Sequence, residues 1–202
     1  MKKFLTILLS VLIIACSFSA CSAKPNNKLT EKNVTVTINT IFDALKTFDS
    51  ATVKKYVESS TLDKILTYAS KKDQFRKLGV AIFENVEYTI KDIDLDNKNV
   101  TLSVKNKDLA DVATEFTEGL LKEYASITGV VQLLKDITND EWLDNNLSIL
   151  TQGISAAIMQ DKEFDVKLTF EQKNDRLVFN FTLEAEDAVS GGALTAIKNL
   201  FR

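Results

Sequence analysis

Two stretches of strict alternation constrain what this chain can fold into. In the clearer one, Phe164, Val166, Leu168 and Phe170 alternate with Asp165, Lys167, Thr169 and Glu171. After the polar turn Gln172–Asp175 the pattern returns in Leu177, Phe179, Phe181 and Leu183. Successive side chains of a strand point to opposite faces, so such a run has one apolar and one polar side. Upstream, Val86, Tyr88 and Ile90 alternate with Glu87, Thr89 and Lys91, and Val100, Leu102 and Val104 follow the turn-like Asp94–Asn99. Both stretches read as β-hairpins lying between core and water.

The cover for those apolar faces is legible as helical spacing. Val34, Ile38, Ile41, Leu45 and Phe48 form one stripe of an amphipathic helix. Asp49-Ser50 reads as the cap of a short helix through Tyr56. Ser60-x-x-Asp63 and Ser70-x-x-Asp73 match a helix-start pattern and open helices over roughly 61–70 and 71–84. Asp108 is placed to cap a long helix carrying Leu109, Val112, Phe116, Leu120, Tyr124 and Ile127, which Gly129 breaks or bends. Thr138-Asn139-Asp140-Glu141 opens another, with Leu143, Leu147, Leu150, Ile154 and Ile158 as its stripe, and 188–201 is expected to be a terminal helix weakened by Gly191-Gly192. Helices and antiparallel strands that come in groups predict an α+β fold: a small antiparallel sheet of two hairpins packed against amphipathic helices, with a long helical insertion between the hairpins.

The amino terminus carries a different message. Lys2 and Lys3 precede an apolar run from Phe4 to Cys16, and Phe18-Ser19-Ala20-Cys21 is followed by the polar Ser22 to Asn27. A basic start, about 7–15 apolar residues and a small residue before the cut make a secretory signal. The c-region ends on cysteine and resembles the lipobox of bacterial lipoproteins. Ile13-Ile14-Ala15-Cys16 fits that pattern as well, but the polar stretch begins directly after Cys21, which makes Cys21 the favoured lipid attachment and Cys16 the runner-up. The resulting organisation is 1–20 signal peptide, 21–32 polar tether and 33–202 a single α+β domain. A diacylglycerol thioether with a further acyl chain such as palmitate supplies enough buried methylenes, at about 0.8 kcal/mol each, for a stable anchor. The expected location is the outer face of a bacterial cytoplasmic membrane.

Composition narrows the chemistry. The chain has no histidine, and its two cysteines both lie in the signal region. The usual general base, the commonest metal ligand and every imidazole-based triad are therefore missing, as is any disulfide within the domain. Once the two signal lysines are gone the net charge falls from −3 to −5, which argues against a nucleic-acid partner.

Weighed singly, the candidate sites read as structure. Asp92-Ile93-Asp94-Leu95-Asp96-Asn97 begins like a calcium loop but lacks its sixth-position glycine and twelfth-position glutamate, so a polar turn is expected. Asp136, Asp140, Glu141 and Asp144 surround a helix start, where the dipole favours acids. Trp142 is expected in packing, and Gly191-Gly192 marks a close backbone approach or a kink. Phe116, Tyr124, Phe170, Phe179 and Phe181 are the candidate lining of an apolar cup between helices and sheet, against the plainer reading that they fill the core. No cofactor or metal is implied.

Taken in order, Ile41-Phe42-Asp43-Ala44-Leu45-Lys46, Asp49, Val53-Lys54-Lys55-Tyr56, the hairpin Asp92 to Val104 leading into Asn106-Lys107-Asp108-Leu109, the strand pair 164–184 and the Gly191-Gly192 tail resemble a nuclear-transport-factor-2-like (cystatin-like cone) lipoprotein of low-GC Gram-positive bacteria. The resemblance implies a curved antiparallel sheet wrapped by helices that can enclose a pocket. Only four strands are read here, fewer than that fold usually has. The superfamily's enzymes place acids inside the cone, whereas here the acids alternate outward, so no catalytic residue carries over and no two acids are expected in a concave pocket.

The expected function is a non-catalytic, membrane-anchored binding or interaction module, not an enzyme, whose partner is an envelope protein or a small apolar ligand. The alternatives are a hydrolase or isomerase working through carboxylates and tyrosines, and a solute-binding lipoprotein of a transporter, for which the chain is short.

Overall fold

The computed structural model describes residues 25–59, 61–62, 66–67 and 72–200. The signal peptide, both Cys16 and Cys21, and the proposed helix starts at Ser60 and Ser70 lie outside the described residues. The fold is α+β, with eight helices among the described residues and a five-stranded, mostly antiparallel mixed sheet. The helices are α1 (Glu31–Lys46), α2 (Ser50–Tyr56), α3 (Asp73–Phe83), α4 (Ala110–Glu123), α5 (Ile127–Asp136), α6 (Asp140–Ala156), α7 (Leu183–Val189) and α8 (Ala193–Leu200). The strands are β1 (Val57–Glu58), β2 (Glu87–Asp94), β3 (Asn99–Lys105), β4 (Phe164–Lys173) and β5 (Arg176–Asn180), in the spatial order β1-β5-β4-β3-β2. No helix of the described residues is long and apolar enough to cross a membrane.

The alternation places both hairpins. β2 pairs antiparallel with β3, β3 with β4 and β4 with β5. Asn99 faces Thr169 and Val104 faces Phe164, so the β2–β3 and β4–β5 turns share one end of the sheet. The chain segments entering and leaving the α4–α5–α6 excursion share the other end, where Lys107 bridges to Met159.

Helical periodicity places the core. Val34, Ile38, Ile41, Phe42 and Leu45 of α1 pack in one cluster with Val100, Leu102 and Val104 of β3, Val166, Leu168 and Phe170 of β4, and Leu177 and Phe179 of β5. The Phe42 ring stacks on Tyr88 at 3.9 Å between centroids. Burying a side chain such as Phe42 contributes roughly 1.5–3 kcal/mol. A smaller cluster of Ala81, Leu109 and Ile154 ties α3, α4 and α6 together.

Several expectations need correction. The sheet is mixed, because the two-residue β1, invisible to any period, runs parallel to β5 with Val57 beside Phe179. The second hairpin ends at Asn180: Thr182 accepts a hydrogen bond from the Ala185 amide, so Leu183 starts a helix and is 55% exposed. The expected terminal helix is two helices, divided at Gly191 and Gly192, both at positive φ. The long helix from Asp108 starts at Ala110 and ends at Glu123, ahead of Gly129, which instead lies in the first turn of α5. A Cβ on Gly129 would come within 2.8 Å of the Tyr124 backbone, so the glycine permits a close crossing where a break was expected. The cap of α6 is Asn139, which accepts from the Trp142 amide, and Ile158 falls beyond the helix and is 77% exposed. Helix α3 is preceded by Lys72, which makes no side-chain cap bond.

Candidate functional site

At the end of the sheet opposite the turns, the first residues of β4 and helix α7 enclose an open cleft of about 260 Å³. Phe164, Asp165 and Val166 form one wall and Glu184, Asp187 and Ala188 the other, with Gln160 and Gly192 completing it. Phe164 is 48% exposed. Asp165 and Glu184 are exposed and engage no hydrogen bond or ion pair among the described residues. Asp187 is half-buried and its Oδ1 accepts from the Thr195 amide at 2.7 Å. The expectation that no two acids would lie in a concave pocket, the feature that divides a binding module from a carboxylate enzyme, is therefore corrected, and the correction weighs toward the enzyme alternative. Asp165 does alternate with Phe164 and Val166 on β4, but all three border the cleft, and α7, packed into the core through Ala185, Ala188 and Val189, supplies the second wall.

Local sequence fixes the walls. Gly191 has φ +62°, and a Cβ there would lie 2.0 Å from the Lys107 carbonyl oxygen, so glycine alone allows α7 to turn into α8 at this place. The Gly191 carbonyl accepts from the Leu109 amide at 2.9 Å. Beneath the cleft, fully buried Asn106 donates from Nδ2 to the carbonyls of Ile82 (2.9 Å) and Val189 (2.7 Å). Its Oδ1 accepts from the Lys107 amide at 2.8 Å, and its carbonyl accepts from the Gln160 amide at 2.9 Å. One side chain thus joins the ends of α3 and α7 at the root of the excursion.

A second polar residue that the sequence did not expose is Glu186, 1% accessible on the inner face of α7 beside Ala185 and Val189. Its Oε1 accepts from the Ser59 hydroxyl and from the Thr61 amide (3.3 Å), while Oε2 is buried with no hydrogen-bond partner among the described residues. Ser59 Oγ accepts in turn from the Leu62 amide at 2.8 Å, so Glu186 holds the chain following β1.

The five residues read as a cup lining separate into two groups. Phe170 and Phe179 meet at 5.2 Å between ring centroids, and with Phe181 they sit in the main core cluster. Phe116 is half-buried on α4, and Tyr124 follows the end of that helix. Tyr124 donates its hydroxyl proton to Asp136 Oδ2 (2.9 Å) and accepts from Trp142 Nε1 (3.0 Å), which links α4, α5 and α6. Burial, reinforced by the Asp136 bond, pushes the Tyr124 phenol above its ordinary range. None of the five lines the cleft.

Three of the four acids around the start of α6 are engaged by neighbours, Glu141 being the exception among the described residues. Asp140 pairs with Lys72 at 2.5 Å, Asp144 accepts from Gln74 at 2.9 Å, and Asp136 accepts from Gln132 at 2.7 Å. In the β2–β3 turn, Asp94 accepts from the backbone and side-chain nitrogens of Asn97, bonds that hold its carboxyl below the usual carboxylate range. No group of three His, Cys, Asp or Glu among the described residues is placed to hold a metal ion. Comparison of the chain with protein families, curated proteins and solved structures finds no match.

Proposed function

We propose that this chain is an extracytoplasmic, lipid-anchored binding module of the bacterial envelope, with the cleft between β4 and α7 as its recognition site. The observation that carries the reading is the make-up of that cleft, in which exposed Phe164 stands among exposed Asp165 and Glu184. Such a mixture suits a partner with an apolar group beside a positive charge. Acid–base chemistry by two carboxylates depends on giving them contrasting environments, one shielded and one solvated. Asp165 and Glu184 both stand in solvent, which favours binding over turnover. The second reading, a carboxylate-dependent hydrolase or isomerase, draws on the presence of three acids in one cleft.

A nuclear-transport-factor-2-like cone is the architecture we propose for the domain. Its support is the five-stranded sheet with α1 packed on one face, and α4–α6 as an insertion between hairpins. The lipid anchor rests on the Ala20-Cys21 junction. Cys21→Ser is expected to release the protein from membranes while Cys16→Ser leaves it bound, and the reverse pattern would move the anchor by five residues.

Native mass spectrometry of the domain from Ser22, purified from its own host's envelope, tests the binding reading. A bound species that is lost from a Phe164→Ala, Glu184→Gln double variant supports it. A turnover activity abolished by Asp165→Asn or Glu184→Gln overturns it in favour of the enzyme.

A further inference from the structure

The segment expected to be a free tether is fastened to the body over its second half. Asn33, at the start of α1 and 5% exposed, uses its whole amide to do this. Its Oδ1 accepts from the Asn26 amide at 3.0 Å, and its Nδ2 donates to the carbonyls of Asn26 and Lys28, the latter at 3.0 Å. The Lys28 amide donates to Asn26 Oδ1 at 2.9 Å, closing the loop on itself. Asn27 then docks on the β4–β5 turn: its Nδ2 donates to the Asn174 carbonyl (2.6 Å), and its carbonyl accepts from Gln172 Nε2 (2.7 Å). Leu29 packs against the main core.

This changes how far a lipid on Cys21 can stand from the domain. A fully extended chain advances about 3.5 Å per residue, so twelve free steps from Cys21 to Asn33 reach about 42 Å, and the five steps from Cys21 to Asn26 only about 17 Å. For comparison β4, ten residues long, spans about 30 Å from one end of the sheet to the other. A reach of 42 Å lets any face of the domain meet the bilayer, whereas 17 Å is too short to carry the far end of the sheet down to it.

We propose that Asn33 locks residues 26–30 to the β4–β5 turn so that this end of the sheet faces the lipid surface and the cleft at the other end faces away. The inference rests on lipidation of Cys21. It assigns the turn end, with Lys28, Lys32 and Lys98 unpaired among the described residues, as the membrane-proximal surface, and it presents Phe164 and Glu184 to the envelope space.

The lipidated full chain, reconstituted in vesicles of phosphatidylcholine and phosphatidylglycerol that carry a headgroup nitroxide, tests this. A fluorophore is placed at Asp175→Cys, in the turn, or at Ile158→Cys, at the far end. Thioether formation blocks Cys21 and cleavage removes Cys16, so the engineered thiol is the one labelled. Quenching is expected to be strong at 175 and absent at 158. The contrast is expected to vanish in Asn33→Ala and to shrink in Asn27→Ala, a variant outside the helix that guards against misfolding as the cause. Equal quenching at both sites in the parent, with the protein still floating with the vesicles, overturns the orientation and leaves the anchor standing. A parent that fails to float overturns the anchor and the orientation with it. Label uptake by a chain without an added cysteine reveals Cys16 as the lipid site, whose ten free steps, about 35 Å, also overturn it.

Discussion

Replacing Asn106 by alanine removes a cross-link that no other side chain among the described residues duplicates. The wild-type amide is fully buried and makes three hydrogen bonds, to the Ile82 and Val189 carbonyls and from the Lys107 amide. Alanine leaves two carbonyls and one N–H to find other partners. At about 1 kcal/mol net for each bond, the loss sums to about 3 kcal/mol before any cavity is counted. Against a total stability of 5–15 kcal/mol typical of a domain, that is a large share. With a urea dependence of about 2 kcal/mol per molar, the midpoint is expected to fall by about 1.5 M with the slope unchanged.

Asn106→Asp separates the roles of the two amide ends. It keeps the acceptor for the Lys107 amide but turns a charged oxygen toward two carbonyls, so at neutral pH it is expected to be the worse of the pair. A midpoint shift under about 0.5 M for Asn106→Ala refutes the claim that this side chain joins α3 to α7. Because Val189 ends α7 and Gln160 lines the cleft, the same variant is expected to weaken whatever binds between Phe164 and Glu184.

Two glycines are expected to respond in opposite directions to alanine. Gly191→Ala, at positive φ and against the Lys107 carbonyl, loses more than about 2 kcal/mol, whereas Gly119→Ala, inside α4 with nothing near, gains about 0.5–1 kcal/mol by thermal or urea denaturation. Tyr88 gives the fold an alkaline limit. Burial, and behind it the Asp43 charge, pushes its phenol well above the ordinary value of 10.0. The native state then holds that proton more tightly than the unfolded chain, so the contribution is full below about pH 10 and drains away as pH rises beyond it. Urea midpoints across that range are expected to fall more steeply for the parent than for Tyr88→Phe. Asp49→Ala, which removes the cap on α2, is expected to lower stability by about 1 kcal/mol at neutral pH. The Thr52 hydroxyl and amide hold that carboxyl below its ordinary range, so its contribution is present above about pH 4 and lost as pH falls below it. The deficit of the alanine variant shrinks in acid; a deficit independent of pH refutes the cap.

What was legible in the sequence was what repeats. α1 and the two hairpins announce themselves because a long buried face forces a period of 3.6 or 2, and Ile38, Leu102 and Leu168 each sit where that period puts them. β1 escaped because two residues have no period, and because its pairing partner Phe179 lies more than a hundred positions away. Leu183 misled because alternation continued by chance past Phe181, while the Thr182 cap that starts α7 is a single side chain. Gly129 misled in the other direction, since its value lies in a close crossing over Tyr124, which sequence spacing cannot encode.

The site was harder to read because its parts come from elements that turn toward each other only after folding. Asp165 occupies a polar position on β4, yet it borders the cleft together with Phe164 and Val166, because α7 packs into the core beside the first residues of that strand. Alternation along one strand does not say what a later element brings beside its first residues. The same reasoning explains Asn33 and Asn106. Both are asparagines whose neighbours give no hint of burial, and both earn their burial by satisfying backbone groups that a bend in the chain has left exposed. In this chain the residues that set the geometry at the two ends of the sheet are therefore amides answering to the backbone. A search of such sequences for function gains more by asking which asparagines flank the ends of elements than by asking which acids cluster.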